Sequence, residues 1–177
     1  MTAEQYKQHI RTVEDFPKPG VRFYDITPLL GEGAVFANVI ADMAEPLAGK
    51  IDKVVSFDAR GFIFGSAIAA KLMVGCVMLR KPGKLPGETK SMSYDLEYGS
   101  NTIEIQSDAL QAGESVALVD DIIATGGTAL AGIELVRSCG ANIVEFCSLI
   151  DLPVLGGSDK IEAAGVPVRT LVEVGGN

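Results

Sequence analysis

Residues 116–128 read Val-Ala-Leu-Val-Asp-Asp-Ile-Ile-Ala-Thr-Gly-Gly-Thr, and no other stretch limits the fold so tightly. An apolar run without polar alternation suits a strand buried on both faces, which implies a parallel sheet covered by helices. The strand ends in two carboxylates, Asp120 and Asp121, and a Thr-Gly-Gly-Thr turn then opens a helix. Gly126 and Gly127 let the backbone turn tightly and bring its N–H groups close to a ligand. Together with the threonine hydroxyls and the helix N-terminus, those N–H groups make a site for a phosphate monoester. Acids at a strand end accept hydrogen bonds from vicinal sugar hydroxyls, so phosphate plus diol means a ribose 5-phosphate. No Gly-Lys-Ser/Thr follows, so this is not a nucleoside-triphosphate P-loop. The plain alternative is an ordinary strand-turn-helix with an acidic cap.

The rest of the chain supplies the sheet this strand needs. Tyr6, Ile10 and Val13 recur at helical spacing and predict an amphipathic helix over 3–14, ended by Phe16-Pro17. Pro17, Pro19 and Gly20 impose an irregular loop, and Thr27-Pro28 reads as an N-cap followed by a first-turn proline. Val35, Phe36, Val39, Ile40, Met43 and Leu47 form a helical apolar stripe. Strands are predicted at Lys53–Phe57, Gly75–Leu79, Ser115–Val119, Asn142–Ile150 and Val166–Val174, with helices over 61–72 and Gly127–Cys139. That alternation predicts a doubly wound, mostly parallel α/β sheet with helices on both faces. Residues 80–107 interrupt it with a polar loop and two alternating runs, 90–96 and 102–106, a hairpin signal for an antiparallel flap. With no repeat and no low-complexity linker, 177 residues make a single domain.

Composition removes several function classes. The net charge is −8, and Asp95, Glu97, Glu104, Asp108, Glu114, Asp120, Asp121 and Glu134 crowd into residues 91–136, which hold no Lys or Arg. A nucleic-acid surface needs clustered cations, so none is expected. The most apolar stretch, Gly61–Leu79, carries Lys71 and internal glycines, so no membrane span is expected, and the N-terminus lacks the apolar core of a secretory signal. His9 is the only histidine, which excludes a histidine-based triad or a His-rich metal site. Cys76, Cys139 and Cys147 have no C-x-x-C spacing and read as buried reduced thiols of a cytoplasmic protein.

The run from Asp120 to Thr128 resembles the phosphoribosyl-diphosphate signature of type I phosphoribosyltransferases. Further segments resemble the adenine-using branch of that family: Phe16-Pro17-Lys18-Pro19-Gly20-Val21-Arg22-Phe23-Tyr24-Asp25-Ile26-Thr27-Pro28-Leu29, Asp58-Ala59-Arg60-Gly61-Phe62-Ile63-Phe64-Gly65, Arg80-Lys81-Pro82-Gly83-Lys84-Leu85-Pro86-Gly87 and Tyr94-Asp95-Leu96-Glu97-Tyr98-Gly99. The likeness runs in order from about residue 12 to residue 172.

The resemblance implies the type I phosphoribosyltransferase fold, with a small N-terminal hood that recognises the base over 1–30 and a flexible flap over 80–107. It implies a purine-salvage transferase that joins adenine to 5-phosphoribosyl 1-diphosphate, giving AMP and diphosphate with Mg²⁺ held mainly by substrate oxygens. Ala124, Thr125, Gly126, Gly127 and Thr128 would hold the 5-phosphate, and Asp120 and Asp121 the ribose hydroxyls. Arg60, Arg80 and Lys84 would neutralise the diphosphate, and a non-proline cis peptide is implied around Asp58-Ala59. Adenine would lie between Phe23 and Leu152, with backbone groups near Arg22 and Tyr24 reading its edge. Glu97 would relay a proton from the purine beside Tyr98, with Arg60 completing the catalytic set, and the assembly would be a homodimer. Read singly, Phe23 and Leu152 fit plain core residues, Arg60 a surface ion pair, 80–90 a solvated basic loop, and Glu97 and Tyr98 an exposed hairpin. Relatives using hypoxanthine, guanine or xanthine, and a non-catalytic phosphoribosyl-diphosphate sensor, are the competing functions. The sensor would need an added DNA-binding domain or a broad basic face.

Overall fold

The computed structural model describes residues 1–95 and 100–175. The chain opens with α1 (Ala3–Lys7), β1 (Arg11–Val13), β2 (Phe23–Asp25), α2 (Thr27–Gly31) and α3 (Gly33–Ala44). Strand β3 (Lys53–Phe57), α4 (Gly61–Leu72) and β4 (Gly75–Leu79) form the first strand-helix-strand unit. The hairpin β5 (Thr89–Asp95) and β6 (Ser100–Gln106) follows. Then come β7 (Ser115–Ile123), α5 (Gly127–Ser138), β8 (Asn142–Asp151), α6 (Gly157–Ala163) and β9 (Val168–Glu173). The central sheet has five strands in the order β4-β3-β7-β8-β9, and every pairing within it is parallel.

Alternation along the strands divides the apolar residues between two cores. Val54, Ala117, Val119 and Cys147 join α3 and α4 on one face. Val55, Val116, Leu118 and Phe146 join α5 and the hairpin residues Ile103 and Ile105 on the other. Parallel strands covered on both faces are apolar throughout for this reason. The strand order reverses direction between β3 and β7, so the crevice past their C-terminal ends is where a ligand is expected in a sheet of this kind. Residues 58–60 and 120–128 lie at that crevice.

Several expectations need correction. The helix over 3–14 is only α1, and Arg11–Val13 instead pairs antiparallel with Phe23–Asp25. Tyr6 is buried in the core and its hydroxyl donates to Asp42 Oδ2 at 2.5 Å, which secures the first turn. Beyond it, cross-strand pairing outcompetes the local 3.6-residue period. Thr27 is the first residue of α2 rather than its cap, and the Asp25 carboxylate accepts the Thr27 N–H at 2.9 Å. Strand β7 continues through the acid pair to Ile123, because Asp120, Ile122 and Ile123 pair with Ser148, Ile150 and Asp151 of β8. Only Cys147 is a buried thiol, its pKa pushed up to about 12 by burial. Cys76 is exposed because β4 is an edge of the sheet, and Cys139 is half-buried. The expected hairpin is present, joined to the end of β4 by an antiparallel bridge between Arg80 and Glu104. Glu97 and Tyr98 at its tip lie outside the described residues.

Candidate active site

The loop after β7 is shaped by its glycines. Gly126 has φ +83°, the left-handed region, and it caps α5, whose Leu130 N–H donates to the Gly126 carbonyl at 2.9 Å. Around it lies a cavity of about 200 Å³ lined by Asp120, Ile122 to Ala129 and Phe146. All five residues proposed for the 5-phosphate therefore share one concavity at the N-terminus of a twelve-residue helix, where free N–H groups and the helix dipole favour an anion.

Because β7 runs through the acid pair, its two carboxylates point to opposite faces. Asp120 turns toward the loop cavity, and its Oδ1 accepts the Asp121 N–H at 2.8 Å. The start of α4 presses on this carboxylate: a methyl on Gly61 would stand 2.8 Å from Asp120 Oδ1 and 3.1 Å from the Val119 carbonyl. Asp121 is 4% exposed and faces Arg60, whose Nη2 lies 2.8 Å from its Oδ2. That oxygen takes no aligned hydrogen bond, so the contact is an ion pair rather than a directed bond. Burial pushes the Asp120 carboxyl well above the usual range, and the neighbouring Asp121 charge pushes it the same way. Burial also raises Asp121, against the opposing pull of Arg60.

Arg60 links the acid pair to the N-terminal segment. Its guanidinium lies 5.1 Å from the centre of the Phe23 ring, and its Nη1 donates to the Tyr24 carbonyl at 3.5 Å. Phe16 meets Phe23 edge-on at 5.1 Å and widens this aromatic shelf. Arg80 emerges one strand away, because Phe57 and Leu79 are register partners and Asp58 and Arg80 directly follow them. Arg80 Nε donates to Asp58 Oδ2 at 2.9 Å, and Nη1 donates to the Lys84 carbonyl at 3.2 Å. The Asp58–Ala59 peptide between these groups is cis, and so is Phe16–Pro17.

The proposed base-recognition residues separate. Arg22 and Tyr24 turn away from Arg60 and line a different, larger cavity of about 510 Å³ with Lys7, Thr12, Pro153 and Glu173. Arg22 is engaged there by Glu14 at 2.8 Å. Of these two, only a backbone group of Tyr24 reaches Arg60. Leu152 follows β8 with its N–H donating to the Ile123 carbonyl at 3.0 Å, beside the phosphate loop. The larger cavity holds Lys7 and Arg22, each paired with a neighbouring carboxylate, whereas the loop cavity brings Asp120 together with the glycine turn at the start of α5. Sequence reasoning missed Tyr94, whose hydroxyl accepts the Thr128 Oγ1 hydrogen at 2.9 Å and joins the hairpin to the loop. It also missed Asp58 as the anchor of Arg80; adjacent strands ending in Asp58 and Arg80 were the available signal.

Residues 26–169 match the phosphoribosyl transferase domain family, the class that this sheet and loop define. The chain is 53% identical over 176 residues to an adenine phosphoribosyltransferase of Rhodopseudomonas palustris (strain HaA2), covering 99% of this chain and 97% of that one. The crystal structure of adenine phosphoribosyltransferase from Thermoanaerobacter pseudethanolicus superposes with a TM-score of 0.93 at 43% identity, over 98% of this chain and 100% of the other. The chain belongs to the adenine phosphoribosyltransferase family and is a purine-salvage transferase. A Saccharomyces cerevisiae adenine phosphoribosyltransferase, complexed with an imino-altritol 1,6-bisphosphate and adenine, superposes with a TM-score of 0.88 at 40% identity, covering 96% of this chain and 97% of that one.

Proposed function

We propose that this chain transfers the phosphoribosyl group of 5-phosphoribosyl 1-diphosphate to N9 of adenine, releasing diphosphate and leaving AMP. The observation that carries this reading is the position of Arg60, which contacts the sugar-side acid Asp121 and the hood aromatic Phe23 at once. One residue thus joins the ribose end of the site to a flat surface suited to a purine. The yeast relative was crystallised with a bisphosphate iminosugar and adenine together, a pairing that supports this reading.

In this reading the loop from Ala124 to Thr128 fixes the 5-phosphate, and Asp120 and Asp121 receive the ribose hydroxyls. C1 loses the diphosphate and develops positive charge while N9 attacks from the opposite face, so C1 inverts. Arg60, Arg80 and Lys84 spread the charge of the leaving group, the kind of fixed electrostatic contribution that is often the largest in catalysis. Glu97 accepts the purine proton beside Tyr98, and the hairpin excludes water that would hydrolyse the activated sugar. The base rests between Phe23 and Leu152, with backbone groups at Arg22 and Tyr24 reading its edge. A backbone reading of the base does not depend on the side chain at Tyr24.

The donor chemistry fits a magnesium ion held mainly by substrate oxygens. Asp120 and Asp121 supply hard carboxylate oxygens beside the loop that would hold the sugar phosphate. When bound, such an ion would neutralise the diphosphate and improve it as a leaving group.

We further infer a homodimer and a cytoplasmic location. The edge strand β4 with exposed Met78, and the 92%-exposed Met73 that precedes the strand, support the first. Among the described residues no helix is long and apolar enough to cross a membrane. The reaction is tested by a product assay with phosphoribosyl diphosphate and each purine base in turn, with and without Mg²⁺. AMP from adenine is expected, and its absence overturns the reading. Preference for hypoxanthine or guanine would move the chain's substrate to a 6-oxopurine.

A further inference from the structure

The phosphate loop is backed by a segment that no motif points to. After β8 the chain passes Leu152 and a 3₁₀ turn, then enters α6 at Gly156-Gly157. Gly157 is buried against the outer side of the loop: a methyl there would stand 2.2 Å from the Ala124 carbonyl oxygen and 2.9 Å from the Gly126 nitrogen. Three residues on, Lys160 Nζ donates to the Thr125 carbonyl at 2.9 Å. Two residues of one short helix thus touch three consecutive residues of the loop.

We propose that Gly157 and Lys160 are positioning residues for the phosphate loop and so set its affinity for the phosphoribosyl 5-phosphate. This rests on the reading of the loop given above and extends it to residues about 30 positions away in sequence. The C=O and N–H of a planar trans peptide point in opposite directions, so pinning the Thr125 carbonyl on Lys160 directs the Gly126 N–H away from Lys160. The ammonium group also adds positive charge close behind the bound dianion. Gly157 sets how closely the loop can lie on its support. The support is firm: Ile161 of α6 is fully buried, and Ser158 Oγ donates to the buried Asp151 Oδ2 at 2.8 Å. When a methyl is inserted, the thinner loop gives way, because packed elements shift where they are least held.

The two adjacent glycines supply their own control. Gly156 has φ +65° with nothing within 4 Å of an added methyl, so Gly156→Ala strains the backbone without touching the loop. Gly157 lies outside the left-handed region, so Gly157→Ala adds contact with the loop and little backbone strain.

The experiment measures ribose 5-phosphate binding by calorimetry, together with steady-state kinetics for adenine and phosphoribosyl diphosphate, on the full chain. Gly157→Ala should raise the Kd for ribose 5-phosphate and the KM for phosphoribosyl diphosphate by about tenfold, equivalent to ~1.4 kcal/mol. Its kcat and its KM for adenine should stay near wild type. Gly156→Ala should lower the melting temperature and leave both constants alone. Lys160→Met should weaken ribose 5-phosphate binding several-fold and flatten its salt dependence, and Lys160→Arg should recover most of the loss. Folded Gly157→Ala and Lys160→Met variants with wild-type Kd overturn the proposal. If Gly157→Ala does not fold, the Lys160 pair decides alone. A wild type that binds ribose 5-phosphate but makes no AMP from adenine refutes the base assignment, and the same Kd values still decide the role of Gly157 and Lys160.

Discussion

The two sides of this site are held by different means. The phosphate loop is held largely through backbone: a left-handed glycine, the first turn of α5 and close glycine contacts from α6. The arginine side is held by side chains, Arg60 on Asp121 and Arg80 on Asp58. Backbone donors in a fixed turn cannot leave, which suits a phosphate that stays put throughout the reaction. Paired arginines can exchange an internal carboxylate for an incoming anion, which would suit the diphosphate of the proposed reaction. In the proposed reaction, rigidity falls where the substrate would be anchored, and exchangeable charge where the bond would break.

That contrast can be broken at several points. The largest effect is expected at Arg60, which contacts both Asp121 and Phe23: Arg60→Ala should lower kcat/KM by about 10³-fold. A variant within tenfold of wild type would remove Arg60 from the mechanism. Glu97→Gln should reduce kcat by ~10²-fold with little change in the KM for phosphoribosyl diphosphate; a rate unchanged across pH would end the proton-relay role. Asp120→Asn combined with Asp121→Asn should weaken phosphoribosyl-diphosphate binding by roughly tenfold to a hundredfold with the fold intact, as expected for losing hydrogen bonds to charged groups. Wild-type affinity in that double variant would remove the ribose assignment.

The smallest effect is on stability. The Asp120 carboxyl lies above its ordinary value of 3.8 because burial and the Asp121 charge disfavour its ionised form. The folded chain therefore binds this proton more tightly than the unfolded chain does, and the contribution of Asp120 to stability falls as pH rises past that value. Asp120→Asn removes the titration and keeps an oxygen for the Asp121 N–H. It should melt higher than wild type near neutral pH, with the difference closing toward about pH 4. A melting difference that does not narrow with falling pH would show the acid pair to be relaxed by other means.

Much of the frame was legible locally. β3, α4 and β4 fall where runs such as Lys53–Phe57 and Gly75–Leu79 place them, because apolar runs between turn residues leave few alternatives. The Thr-Gly-Gly-Thr turn was equally readable, since the positive φ of Gly126 is a property few other residues tolerate. The N-terminal segment was not: Tyr6, Ile10 and Val13 fit a helix, yet Arg11–Val13 pairs with a strand ten residues onward. Nor could sequence tell that Asp120 and Asp121 part company, because that follows from β8 extending β7 past them.

The sequence by itself determined the α/β alternation, the Thr-Gly-Gly-Thr turn and the family resemblance, all carried by contiguous residues with short-range physics. Only the tertiary structure decided which distant groups meet: Arg60 on Asp121 and Phe23, Arg80 on Asp58, and α6 against the phosphate loop. Those contacts depend on strand order and register, which bring together side chains far apart in the chain and leave no local signature.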